Sequence, residues 1–309
     1  MLITDTRVET VNLVHYEQCN FMGRLHGGDM LRMLIDTGML SSIKAAKGTS
    51  VLASLDNVVF KKPIYLGDII KISAQVDYIG NSSMEVEMAA SRGEEILVTS
   101  TAAYVKIDQN FRPIAVGDKI IPSNEQELKI FKNGEQRRKD RLSKIKKDVA
   151  QIDLSSKLSN RISNIFYVSP DMTYDGKVIS AGRLLKLMDD LGGILGLRLI
   201  NYKGYTSSAD TVVTVSVSNM SFYSPIKLGD IVQINAGLTY VGKTSMEVLI
   251  TVMKKSPSTD FEVVTTAFFN YVRVGSDGKP KEFPQYIPQN EYEKKFWDDA
   301  LNRRRKNFS

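Results

Sequence analysis

Three carboxylates are set into helical patterns that are otherwise apolar on most of their circumference: Asp36 in the first, and Asp189 with Asp190 in the second. Taking a carboxylate out of water is costly, so each needs a compensating partner or a chemical task. Asp189 and Asp190 are neighbours about 100° apart around a helix axis, which predicts that they do not both face one site. Gly27-Gly28 and Ala181-Gly182 stand at the starts of the same helices. Free backbone N–H groups point outward there, and the missing side chains allow close approach of a ligand. A carboxylate and such a helix start together could activate water and hold the negative charge that develops on a carbonyl oxygen. Each feature also has a packing explanation: a carboxylate bound to hydroxyl or backbone groups, and glycines that permit a tight turn.

Other chemistries lack residues. The chain has two histidines, His15 and His26, and neither has a partner at metal-ligand spacing, so no metal site is expected. No Gly-x-Ser-x-Gly elbow, no Gly-x-Gly-x-x-Gly after a strand and no Walker loop is present, so no nucleotide cofactor is expected either. Attack by water, assisted by a carboxylate and a helix N-terminus, is the most economical reading.

The elements that position these groups occur twice. PIYLGDIIKISAQVDYIGNSSMEVEM, from Pro63 to Met88, matches PIKLGDIVQINAGLTYVGKTSMEVLI, from Pro225 to Ile250, at 14 of 26 positions with an offset of 162. Upstream the offset is 154, aligning His26–Gly38 with Ser180–Gly192, and downstream it is 167, aligning Tyr104 with Tyr271. The steps place insertions in the second copy after its helix and near Ser256 to Asp260, where loops absorb extra residues. Each copy reads as a short strand, a long helix over Met30–Ala46 or Leu184–Leu199, and then period-2 stretches such as Val51–Phe60, Ile69–Tyr78, Met84–Ala90 and Val98–Ile107. Helices this apolar must be wrapped by sheet. Short turns such as Ile79-Gly-Asn-Ser make the sheet antiparallel, so each copy is α+β. The expected organisation is an N-terminal domain over residues 1–122, a charged helical linker over 123–160, a C-terminal domain over 161–285 and a basic tail over 286–309. The unpaired sheet edge of one copy is expected to be covered by the other.

With 309 residues, there is length for two domains, each with its own core. The net charge of +6 comes largely from Lys129–Lys147 and Arg303–Lys306. Acidic residues alternate with the basic ones in the first stretch, which favours a solvated helical face over nucleic-acid binding. A modestly basic surface would still draw in a polyphosphorylated substrate. No apolar run reaches the roughly 20 residues that a membrane span requires. Asp5, Arg7 and Glu9 interrupt the start of the chain, unlike a signal peptide, and one cysteine, Cys19, leaves no intramolecular disulfide. A cytoplasmic location is expected.

The stretch Asn20-Phe-Met-Gly-Arg-Leu-His-Gly-Gly28 before the first helix, the Pro63-Ile-Tyr-Leu-Gly-Asp68 turn and Val241-Gly-Lys-Thr-Ser245 resemble the hotdog-fold acyl-CoA thioesterases, in the tandem double-hotdog form of the cytosolic brain-type hydrolases. The similarity runs over roughly Val8–Tyr104 and Arg161–Val274. It implies an antiparallel sheet wrapped around a central helix in each half, hydrolysis of acyl-CoA to fatty acid and CoA, no cofactor beyond the CoA of the substrate, and further assembly of chains, as trimers. It also implies a site between the two halves, in which the loop asparagine is Asn20 and the helix carboxylate is Asp189. Asp189 would act as general base toward water, or as nucleophile, with Asn20 orienting the water. Gly28 or Gly182 would supply the oxyanion N–H, and Lys243, Thr244 and Ser245 would contact pantetheine or phosphates. Asp36 and Asp190 are second-tier candidates for the acid. The reciprocal site reads as disabled, since Tyr174 aligns with Asn20 and Ile35 with Asp189. A non-catalytic acyl-CoA regulator or scaffold is the alternative reading. Hydratase chemistry on the same fold needs a histidine paired with an acid, and His26 has no evident partner in the sequence.

Overall fold

The computed structural model describes residues 1–145, 152–206, 209–218 and 220–307. In the first copy, α1 (Ile3–Thr6) and β1 (Val8–Leu13) precede the long helix α2 (Gly27–Ala46). The strands β2 (Ser50–Leu55), β3 (Val58–Phe60), β4 (Ile69–Ile79), β5 (Ser83–Arg92) and β6 (Glu95–Lys106) follow, then helix α3 (Glu125–Ile145). The second copy repeats the order with β7 (Arg161–Tyr167), α4 (Ala181–Leu199), β8 (Thr211–Val217), β9 (Met220–Ser221), β10 (Ile231–Val241), β11 (Ser245–Lys255), β12 (Glu262–Val274) and α5 (Glu291–Asn307). The chain is a tandem hotdog: two antiparallel sheets, each curled around one apolar helix.

The period-2 pattern works as expected because alternate residues of the long strands face the helix. Ile70, Ile72, Ala74 and Val76 of β4 are all buried, as are Val232, Ile234, Ala236 and Leu238 of β10. The expected single stretch Val51–Phe60 is two strands, broken at Asp56-Asn57. That break lets the chain change partners. β3 pairs with β8 through Val58–Val217 and Val59–Ser216, and β2 pairs with β9 through Leu55–Met220 and Ser54–Ser221. The two half-sheets therefore join into one antiparallel sheet of twelve strands. Each copy supplies the edge that the other lacks.

The repeated Leu-Gly-Asp turns are structural. Gly67 and Gly229 take φ of 83° and 88°, a region that other residues enter only with strain. The following carboxylates close the turns, with Asp68 accepting from the Tyr65 N–H and Asp230 from the Lys227 N–H, both at 2.8 Å.

The two central helices lie against each other through their first two turns. A Cβ on Gly28 would stand 2.9 Å from the Lys186 Cα, and one on Gly182 would stand 3.0 Å from the Arg32 Cα. Their small residues thus set the interhelical distance. Tyr104 donates to the Ile35 carbonyl at 2.8 Å, and Tyr271 donates to the Asp189 carbonyl at 3.1 Å. This pair of equivalent bonds fixes the register in which Asp189 corresponds to Ile35.

The basic segments are not merely solvated faces. Arg141 of α3 forks onto Glu85 at 2.5 and 2.8 Å, and Arg303 of α5 binds Glu247 at 2.6 Å. Glu127 and Glu293 accept from the Ser123 and Gln289 N–H groups as equivalent caps at the starts of these helices. The expected linker and tail are therefore matching elements, one closing each copy; the linker's residues 146–151, Lys146 and Lys147 among them, lie outside the described residues. Glu85 is 0% exposed, so removing its partner strands a buried charge. Arg141→Met is expected to cost about 3 to 5 kcal/mol in urea unfolding. A loss below about 1 kcal/mol, typical of an exposed pair, would show that water reaches Glu85.

Candidate active site

Asp189 sits on α4 with no solvent exposure. Its Oδ1 accepts a 2.7 Å hydrogen bond from the Thr214 hydroxyl on β8. Its Oδ2 has no hydrogen-bond partner among the described residues. A buried carboxylate oxygen without a donor is an unspent acceptor, and such groups concentrate where chemistry is done. Gly27, the first residue of α2, borders it: a Cβ there would overlap the Thr214 side chain and stand 3.0 Å from Oδ2. Only glycine fits, which puts the positive end of α2 against the carboxylate.

Gly27 and Thr214 also line a cavity of about 260 Å³, shared by Asn20, Arg24, His26 and Gly193. Asn20 stands on the loop before α2. Its Oδ1 accepts from the Met22 and Arg24 N–H groups at 3.0 and 3.2 Å, which holds the turn and leaves the amide NH₂ as the end still able to donate. Phe21 stacks on Tyr202 with ring centroids 5.8 Å apart and meets Tyr205 at 5.4 Å. Both tyrosines lie in the segment where the second copy has its extra residues. The insertion thus braces the Asn20 loop, and the other half has no counterpart to it.

His26 departs from the sequence expectation that it lacks a partner. Its Nδ1 accepts from the Gly28 N–H at 3.2 Å. Nδ1 lies 3.5 Å from Asp189 Oδ2 and Nε2 lies 3.6 Å from Asp190 Oδ1. The 100° between the two aspartates is spanned by the imidazole, which touches both. Asp190 is half-buried, and loss of hydration raises its pKa while His26 and Lys186 oppose the rise.

The remaining expected residues divide by position. Gly28 spends its N–H on His26, whereas Gly27, the first residue of α2, lines the cavity. Gly182 belongs elsewhere: it borders Asp36, whose Oδ1 would stand 3.0 Å from an added Cβ, at the start of α4. Asp36 lines a different cavity with Tyr174 and Ile35, and burial raises its pKa against the pull of Arg32. Lys243, Thr244 and Ser245 form the β10–β11 turn and do not line the cavity at Gly27 and Thr214. Lys243 pairs with Glu282 at 3.1 Å, and Ser245 accepts from Arg304 of α5 at 2.7 Å. The cations at the cavity are instead Arg24 and the exposed Lys61 and Lys62, just before the Pro-Ile turn. Thr214, a strand residue 25 positions from its aspartate, carries no sequence signal; Lys61-Lys62 does, as adjacent charges between β3 and an apolar turn.

Comparison with known proteins agrees with this architecture. The model of the "Thioesterase superfamily" matches twice, over residues 22–99 and 176–260. The cytosolic acyl coenzyme A thioester hydrolase of Mus musculus is 26% identical over 313 residues, which span 93% of this chain and 79% of that one. An acyl-CoA thioester hydrolase of Bacillus subtilis (strain 168), YkhA, is 32% identical over 143 residues, 44% of this chain and 83% of its own. The crystal structure of an acyl-ACP thioesterase from Bacteroides thetaiotaomicron superposes with a TM-score of 0.56 at 12% identity, over 88% of this chain and all of that one, and so shares the fold. No helix among the described residues is long and apolar enough to cross a membrane. Matched in both of its halves, the chain belongs to the thioesterase superfamily and is a thioester hydrolase.

Proposed function

We propose that this protein is a cytoplasmic enzyme that hydrolyses acyl-CoA to a fatty acid and CoA at a single composite site, with Asn20 from one half and Asp189 from the other. The observation that carries this reading is the orphaned Oδ2 of Asp189 beside the bare helix start at Gly27. Thr214 holds Oδ1, so Oδ2 is the oxygen that takes a proton from water as the water oxygen attacks the thioester carbon. Asn20 orients that water through its amide NH₂. The Gly27 N–H receives the oxyanion of the tetrahedral intermediate. When the C–S bond breaks, Asp189 returns its proton to the leaving thiolate, so the products are a carboxylic acid and a thiol. Arg24, Lys61 and Lys62 at the cavity supply positive charge for the CoA phosphates.

The names of the relatives support acyl-CoA as the substrate class, since both sequence relatives above carry it. The His26 contacts with two acids do supply the pairing that hydratase chemistry needs, but Nδ1 is already occupied by the Gly28 N–H and cannot also serve as a base. Further assembly of chains belongs to this reading: Val11 and Ile69 on one sheet edge and their equivalents Ile165 and Ile231 on the other leave apolar side chains exposed.

The test is thiol release from a panel of acyl-CoAs of increasing chain length. Turnover on at least one of them, with one active site per chain in a burst or titration experiment, is the expected result. Binding without thiol release across the panel would favour a regulator or scaffold instead.

A further inference from the structure

A second cavity, of about 360 Å³, lies at the position related to the first by the internal repeat, and its volume falls within the roughly 300–1,000 Å³ of small-molecule sites. Its walls are the equivalents of the first cavity's walls. Phe60, Pro63 and Ile64 in the first correspond to Phe222, Pro225 and Ile226 in the second; Tyr271 and Pro280 correspond to Tyr104 and Pro113.

At the positions of the proposed catalytic and phosphate-binding groups the second cavity has lost polarity and charge, while Ser50 stands where the first has Val212 and Asp36 joins the wall. The catalytic pair Asp189 and Thr214 is replaced by Ile35 and Leu52, and Asn20 by Tyr174. The cations Arg24, Lys61 and Lys62 are replaced by Val178, Tyr223 and Ser224. Gly278 is replaced by Phe111, which adds a ring to the wall. A site that had only lost its function could accumulate polar and charged residues as readily as apolar ones, and collapse would be the cheaper end for an empty apolar space. This one has stayed open while shedding both its hydrolytic groups and its phosphate-binding charges.

We propose that the second cavity binds the hydrocarbon chain of a free fatty acid, without CoA and without hydrolysis. The choice of fatty acid rests on the first cavity being an acyl-CoA thioesterase site, because that reaction releases one. The cavity supplies the remaining chemistry. Ser180 and Ala181, at the start of the 19-residue helix α4, face into it and present the positive helix end to a carboxyl group. Asp36 beside them is the one acidic group on the wall, half-buried and balanced by Arg32. A thioester there would meet no counterpart of Asp189, Arg24, Lys61 or Lys62.

The experiment is calorimetric titration of the full-length protein with palmitate, in the presence of saturating CoA to occupy the first site. One palmitate per chain is expected, and a non-hydrolysable thioether analogue of palmitoyl-CoA should not displace it. Ala53→Phe and Met39→Phe, which fill the second cavity from β2 and from α2, should each weaken palmitate at least roughly tenfold while thiol release from acyl-CoA is unchanged. The proposal is overturned if palmitate fails to bind with CoA present, if CoA or the thioether analogue competes with it one for one, or if both filled variants bind it normally. Failure of the thioesterase reading would show separately, as absence of thiol release in the wild type.

Discussion

Asp189→Asn is expected to lower kcat for acyl-CoA hydrolysis by about 10²- to 10⁴-fold, the usual contribution of a positioned general base. The asparagine keeps the volume of the side chain and an acceptor for the Thr214 hydroxyl, so the change isolates the loss of the base. It should not lower the melting temperature. The carboxylate is fully buried, one of its oxygens has no donor among the described residues, and removing such a charge relieves a desolvation cost. Steady-state kinetics and thermal unfolding on the same preparations check both parts. A variant that keeps near-normal kcat would remove Asp189 from the reaction, and one that loses activity together with its fold would make its role structural.

Asn20→Ala is expected to reduce kcat by about 10²- to 10³-fold, the size associated with one donor aimed at the reacting oxygens. Alanine, however, also deletes the acceptor that holds the Met22 and Arg24 N–H groups, so the loop itself could loosen. Asn20→Asp separates the two. It preserves the acceptor and the turn, and it exchanges the amide donor for a carboxylate oxygen with its negative charge. Equal losses in both variants assign the effect to the donor. Recovery of activity in Asn20→Asp would confine Asn20 to shaping its loop, and the water would need another partner.

How much of this was legible in the sequence depended on the range of the signal. The repeat at Pro63–Met88 and Pro225–Ile250 made the duplication certain, and periodicity located the two central helices and the long strands. Helix starts were less legible, because the caps His26 and Ser180 lie outside the apolar pattern and the helices begin three residues earlier than that pattern. The contacts of His26 with Asp189 and Asp190 arise from the crossing of α2 and α4, 163 residues apart in the chain for the first pair, and no local pattern encodes that crossing. The same crossing decides that Gly27 faces Asp189 while Gly182 faces Asp36, a pairing that alignment of the two copies alone leaves open. Lys243 stood out because its hairpin repeats well between the copies; in the fold it pairs with Glu282. The charged linker and tail hid their equivalence, since the arginines that match, Arg141 and Arg303, sit in stretches whose other residues differ.

The cross-strand pairs Val58–Val217 and Leu55–Met220, which knit the halves into one sheet, bear on how the enzyme breathes. A clamshell motion, with the repeats swinging apart to admit substrate and expel product, would have to rupture those ladders at every turnover. Traffic must instead pass through small local movements, and the loop that carries Asn20 is held by the aromatic contacts of Phe21 with Tyr202 and Tyr205.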